Sequence, residues 1–451
     1  MCLLCRKGNS CAQVEPLKNP QRMRHLVTLS LLFFGILSTN AWTVREAGEG
    51  VKTDQRMDTI HVLRGRVLGS NTNEPLVNAS ITVYGTHISS VTNQEGYFSI
   101  RVPTSYSHSH LVIRHLGYEN GHIPVTTLID IPDNHITLKS SPFTLSEVEV
   151  VSGDGTELVQ EALRRIYLNY PSTPNMMVSF YRESIKKGSR YISLVEAVLD
   201  IYKSGYTSIS SDQARIYIGR KATDISPRDT VLVKFQGGIS DALKLDIAKY
   251  PEIVFGKDGS DYTFQIDGLI NYNDRPHYAI LFAPKRGIQD ILFRGTIYLE
   301  AYSLAFARME FNMNVEGRKE ASQVFIRRKP PRMKVEVTRA RYVVDFSESE
   351  GKWFFNYSST NVGFRVRWTN RLFGLFATHY TIGSEMAITD RYNENVVRFP
   401  RNERIRSTDV IAEKVEHFLD PDFWGDYNVI EPDQEITEAI RRLSGKLKRR
   451  Q

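Results

Sequence analysis

The stretch Leu63-Arg64-Gly65-Arg66-Val67, followed by Glu74-Pro75-Leu76-Val77-Asn78-Ala79-Ser80-Ile81-Thr82-Val83 and Thr92-Asn93-Gln94-Glu95-Gly96-Tyr97-Phe98-Ser99-Ile100, is a series of short β-branched runs cut by turn residues. From Ile60 to Leu138 such runs recur every ~8–12 residues, the spacing of a β-sandwich. Asn93-Gln94-Glu95-Gly96 reads as a turn that launches the strand at Tyr97, because a polar run ending in glycine supplies the backbone freedom a reversal needs. Leu111-Val112-Ile113-Arg114, Ile123-Pro124-Val125 and Ile136-Thr137-Leu138 complete the series.

Four features of this stretch, Gly65-Arg66-Val67, Pro75-Leu76-Val77-Asn78-Ala79, Thr92 through Phe98 and Gly117-Tyr118, resemble the carboxypeptidase-like regulatory domain. That family is a Greek-key, prealbumin-like (transthyretin-like) β-sandwich of bacterial envelope proteins. The resemblance spans residues 60–140 and implies a fold, not a catalyst.

Upstream, Arg22 and Arg24 precede the apolar run Leu26 to Leu37, and Thr39-Asn40-Ala41 offers a small-residue cleavage site before Trp42. The run is shorter than the roughly 20 residues a spanning helix needs. Residues 1–41 therefore read as a signal peptide, with Met23 an alternative start, and 42–59 as a linker. Cys2, Cys5 and Cys11 all lie in the leader, so the mature chain is expected to have no disulfide and no thiolate. Removing the leader's five basic residues and one acidic residue lowers the formal charge from +7 to +3. The basic runs Arg327-Arg328-Lys329 and Lys446-Leu447-Lys448-Arg449-Arg450 lack the interleaved aromatics of a single-strand binder, so no nucleic acid is expected. Periplasmic or outer-membrane-associated placement is the expectation.

Residues 141–175 form a connector. Leu145-Ser146-Glu147-Val148-Glu149-Val150-Val151 is similar to the segment that follows this sandwich in TonB-linked transporters, whose 22-stranded barrel and plug the remaining chain is too short to supply. A helix follows from Leu158 to Tyr170, ended by Pro171.

Residues 176–400 read as a larger curved antiparallel sheet, entered by a hairpin about Lys187-Gly188-Ser189. Val362, Phe364, Val366 and Trp368 alternate with Gly363, Arg365 and Arg367, and Ala305, Ala307, Met309, Phe311 and Met313 share a face. An apolar face needs cover, and a second helix from Ile239 to Tyr250 is a candidate. The runs Phe293 to Glu300 and Tyr302 to Glu310 resemble the half-barrel of periplasmic lipoprotein carriers. In the tail, 401–451, the run Asp420-Pro421-Asp422-Phe423-Trp424-Gly425-Asp426-Tyr427-Asn428-Val429-Ile430-Glu431-Pro432 resembles the ends of envelope proteins with the same sandwich, and a helix from Glu435 to Leu447 closes the chain. The fold class is thus mainly β: a sandwich plus a curved sheet with a few covering helices.

No familiar catalytic template fits. His-Glu-x-x-His is missing, and His108, His110 and His115 lack an acidic base; Gly-x-Ser-x-Gly is missing too. No cofactor or metal is expected. Carboxylate pairs such as Glu183 with Glu196, on neighbouring expected strands, could face each other as a glycosidase pair needs. The leading expectation is a non-enzymatic envelope binding or scaffold protein that holds a lipid, glycan or protein partner in a concave groove. Trp353, Phe355, Tyr357, Phe364, Trp368, Met309 and Phe311 are its candidate lining. An envelope hydrolase, or an accessory of TonB-linked uptake, is the alternative. Peripheral contact with the outer membrane belongs to the same expectation.

Overall fold

The computed structural model describes residues 59–141, 153–224, 238–256, 259–326, 332–368, 377–417 and 423–448. The leader, nearly all of the linker, the connector Leu145 to Val151 and the run Arg327-Arg328-Lys329 lie outside the described residues.

The quoted stretch forms a two-sheet sandwich. β1 (Ile60–Gly69) pairs antiparallel with β4 (Tyr97–Pro103) and parallel with β7 (Asn134–Leu138). β2 (Ser80–Val83), β3 (Ser89–Val91), β5 (His110–Arg114) and β6 (Gly121–Pro124) make the second sheet, in the order β3-β2-β5-β6. Leu63, Val67, Ile81, Phe98, Ile113 and Ile136 fill the core between them. Geometry explains two motif glycines. A Cβ at Gly65 would stand 2.4 Å from the Asn134 carbonyl oxygen, where β7 crosses β1. Gly96 has φ +81°, in the turn that Asn93 Oδ1 ties by accepting from the amides of Glu95 and Tyr97, each at 2.9 Å.

The second sheet system is a single eleven-stranded sheet. Its strands are β8 (Asn175–Lys187), β9 (Arg190–Lys203), β10 (Gln213–Thr223), β11 (Tyr262–Tyr272), β12 (Arg275–Pro284), β13 (Phe293–Glu300), β14 (Phe306–Met313), β15 (Met333–Ser349), β16 (Lys352–Trp368), β17 (Thr378–Tyr392) and β18 (Glu416–His417). β11 to β17 run as a meander, and β17 then pairs with β8, which continues to β9 and β10. All these pairs are antiparallel; β18 alone joins in parallel, on β10. The alternating run Val362 to Trp368 is the second half of the continuous strand β16, which begins at Lys352.

The helices are α1 (Thr156–Arg164), α2 (Ile166–Asn169), α3 (Gly238–Lys244), α4 (Glu252–Phe255), α5 (Ala321–Phe325) and α6 (Gln434–Lys448). The helix expected from Ile239 to Tyr250 stops at Lys244. Beyond it Asp246 Oδ1 accepts the Lys249 amide at 3.2 Å, a local bond that competes with helix continuation.

Val159 and Ala162 of α1, Ile239 and Leu243 of α3, Phe255 of α4 and Phe325 of α5 share one core with inward side chains from β11 through β10. The sheet therefore wraps around its covering helices. Part of its other face, on β8, β9, β16 and β17, is buried as well. Phe180, Val198, Tyr357 and Ala387 meet Val91 of the sandwich and Trp424, Val429 and Ile430 of the C-terminal segment. Beside them α6 seats Ile436 and Ala439 on Tyr191 and Leu194.

Candidate functional site

The structure puts the expected groove residues into packed interior. Met309, Phe311, Trp353, Phe355 and Phe364 are buried in the core under the helices, with Trp368 partly buried against it, and Tyr357 is buried in the outer cluster. The face that alternation marks as apolar is filled by α1, α3, α4 and α5, so these side chains pack against protein.

Glu183 and Glu196 do not face one another. In the β8–β9 ladder Arg182 opposes Glu196 and Glu183 opposes Val195, so the two carboxylates project from opposite faces. The cause is a bulge between Ile185 and Lys186: the hairpin leaves its turn with Lys187 opposite Arg190, and one extra residue on β9 then flips its faces relative to β8.

Each carboxylate has its own surroundings. Glu196 lies between Arg182 Nε at 2.8 Å and Arg220 Nη2 at 2.9 Å. Burial raises its pKa, but the guanidinium groups of Arg182 and Arg220 outweigh burial and hold it low. Arg182 also donates to Glu385 Oε1 at 2.9 Å and, through Nη2, to the Ile430 carbonyl at 2.8 Å. Among the described residues Glu183 accepts only from the Tyr181 hydroxyl, at 3.1 Å, and burial pushes it up to about 7.

A second buried ion group sits under the helices. Lys203 Nζ lies 2.6 Å from both Asp212 Oδ2 and Asp246 Oδ2. Burial lowers the lysine's pKa, but the two carboxylates outweigh it and hold the amine charged. A charged amine is no nucleophile, so Lys203 serves as an internal tie. The histidines considered for zinc diverge. His108 and His110 are exposed, whereas His115 bonds the carbonyls of Leu116 and Val77, and burial, aided by Arg308, lowers it to about 4.

The built cavity lies at the seam between the sandwich and the large sheet, with a volume of about 560 Å³. One wall is the turn from Thr82 to Ser89 with Tyr106; the other is the β15–β16 turn from Ser347 to Glu350 with Asp390 and Arg391. Tyr84 and Tyr106 are 66% and 40% exposed. Ser89 Oγ donates to the Ile388 carbonyl at 2.8 Å and helps fix the two walls together.

Arg391 dominates this cavity. It is 8% exposed, its guanidinium carbon is 3.2 Å from the centre of the Phe354 ring, and Nη2 donates to His87 Nδ1 at 3.0 Å. Among the described residues its Nε has no hydrogen-bond partner and no carboxylate forms an ion pair with it. Burial lowers Arg391 to about 10, against the fields of Tyr206, Glu350 and Asp390. Burial and the Arg391 charge also lower His87, which keeps the imidazole neutral and its Nδ1 free to accept. Sequence reasoning passed over both residues. The available trace was a charged residue at Arg391, late in an otherwise regular strand pattern.

No curated protein matches the chain. A solved structure of a DUF1329 family protein from Desulfovibrio piger aligns with 55% of this chain and 96% of its own, at 12% identity and a TM-score of 0.25, too low to establish a shared fold. Residues 63–150 match the family model of the CarboxypepD_reg-like domain, so the N-terminal sandwich is similar to that module.

Proposed function

We propose that this is a non-enzymatic binding protein of the cell envelope, exported by its leader, whose ligand is a glycan held in the seam between sandwich and sheet. The observation that carries the reading is the seam cavity itself, walled by both modules and lined by hydroxyl, carboxylate and guanidinium groups with two tyrosines at its rim. Sugar rings need flat faces to lie on and acceptors for their hydroxyls, and this wall offers both. The concave face of the sheet, by contrast, is occupied by the protein's own helices.

Thermal-shift and calorimetric titration of the mature chain with neutral and acidic oligosaccharides tests this. Saturable binding that Tyr84→Ala with Tyr106→Ala removes, at unchanged melting temperature, is the expected result. A chain that binds none of the oligosaccharides, or whose binding ignores that double substitution, overturns it.

A further inference from the structure

Resting on the seam reading, the geometry points to an acidic glycan as the ligand, with the carboxylate of a sugar acid received by Arg391. A guanidinium withdrawn from water costs several kcal/mol unless an anion and hydrogen bonds compensate. Phe354 offers a ring face and His87 one neutral acceptor, which leaves Nε unpartnered and the charge unmatched by any ion pair among the described residues. Elsewhere the same fold balances its buried cations: Arg182 has Glu196 and Glu385, Lys203 has Asp212 and Asp246, and Arg308 has Asp345. Arg391 is thus a buried cation that, among the described residues, has carboxylates near it but none in ion-pair contact, on the wall of a cavity large enough for one or two sugar units.

The rest of the wall argues against a bare anion. Asp390 and Glu350 would repel a small oxyanion that had no hydroxyls to offer them, whereas a sugar acid presents donors to the carboxylates and an acceptor to the guanidinium. Tyr84 and Tyr106 at the rim supply faces for the flanking rings.

The test is isothermal titration of the mature chain with tri-galacturonate, its methyl ester, neutral galactotriose and sodium acetate. A charge-assisted hydrogen bond is worth about 1.5–3 kcal/mol, so the free acid should bind roughly ten- to a hundred-fold more tightly than its methyl ester. Arg391→Gln should abolish that preference while leaving the weaker neutral binding, and Arg391→Lys should restore part of it. Equal affinity for acid and ester overturns the inference but spares the seam reading, and needs no variant. A preference that survives in folded Arg391→Gln moves the carboxylate elsewhere and also overturns it. Acetate binding as tightly as the trisaccharide acid makes the site a simple oxyanion site, against both proposals. Binding of none of the four removes the seam reading and this inference together.

Discussion

Arg182 and Glu183 are neighbours in the chain and stand on opposite faces of the large sheet, the first paired with Glu196 and Glu385 and the second, among the described residues, beside the Tyr181 hydroxyl alone. One peptide unit thus separates a balanced ionic network from an isolated acid. The two have opposite consequences for stability.

Glu183 carries a pH dependence. Its folded pKa, about 7, exceeds the ordinary 4.5, so the unfolded chain releases its proton first. The native state is unpenalised below pH 4.5 and loses stability as pH rises from there to about 7, by about 3 kcal/mol. Glu183→Gln should remove that loss. Urea unfolding at pH 4 and pH 8 should show the variant equal to the parent at the lower pH and more stable at the higher; equality at both values refutes the assignment.

Glu196 should behave in the opposite sense. Glu196→Gln removes the buried carboxylate that Arg182 and Arg220 share, and removing one partner of a buried ionic group costs roughly 3–5 kcal/mol. Replacing Arg182, Glu196 and Arg220 together by apolar residues should cost far less than Glu196→Gln alone. Chemical denaturation of both variants decides it, and a triple variant less stable than the single one would show the network to be a net stabiliser.

Trp424 should act as the latch of the C-terminal segment. Its ring lies 5.6 Å from that of Phe180, edge to face, with the Arg220 guanidinium 4.5 Å from its centre. Trp424→Ala should cost about 3–5 kcal/mol. Amide exchange should rise first near Val429 and Ile430, then at α6, while the sandwich core stays protected. Uniform loss of protection across both modules would argue against a local latch.

The parts legible in the sequence are those whose periodicity is local. The sandwich and the meander from β11 to β17 follow from alternation and turn chemistry over a few residues at a time. The candidate groove was misplaced because alternation identifies an apolar face without saying what covers it. In β8 and β9 the second face is apolar too, and its partner Trp424 lies far along the chain. The relation of Glu183 to Glu196 was hidden by a one-residue bulge, which inverts every facing beyond it. Arg391 was hidden for a different reason. Its partners Phe354 and His87 come from another strand and another module, and no short-range pattern joins the three.

Gly65 tests how far the opening stretch governs the sandwich. Any side chain there would meet the Asn134 carbonyl oxygen at 2.4 Å and the Asn134 Cβ at 2.8 Å, both fixed by the β1–β7 ladder, so the strands must move apart. Overpacking of this kind costs about 1–3 kcal/mol. Asn134 Nδ2 donates to the Arg64 carbonyl at 2.8 Å and would be displaced with its backbone, adding the loss of that bond. Gly65→Ala should therefore loosen β7 before the remainder of the sandwich. Amide exchange at Ile136 and Leu138 should accelerate ahead of exchange in the sheet formed by β2 and β5. Because the seam cavity takes one wall from that second sheet, oligosaccharide binding should outlast the loosening of β7; simultaneous loss would mean that the two sheets of the sandwich unfold as one unit.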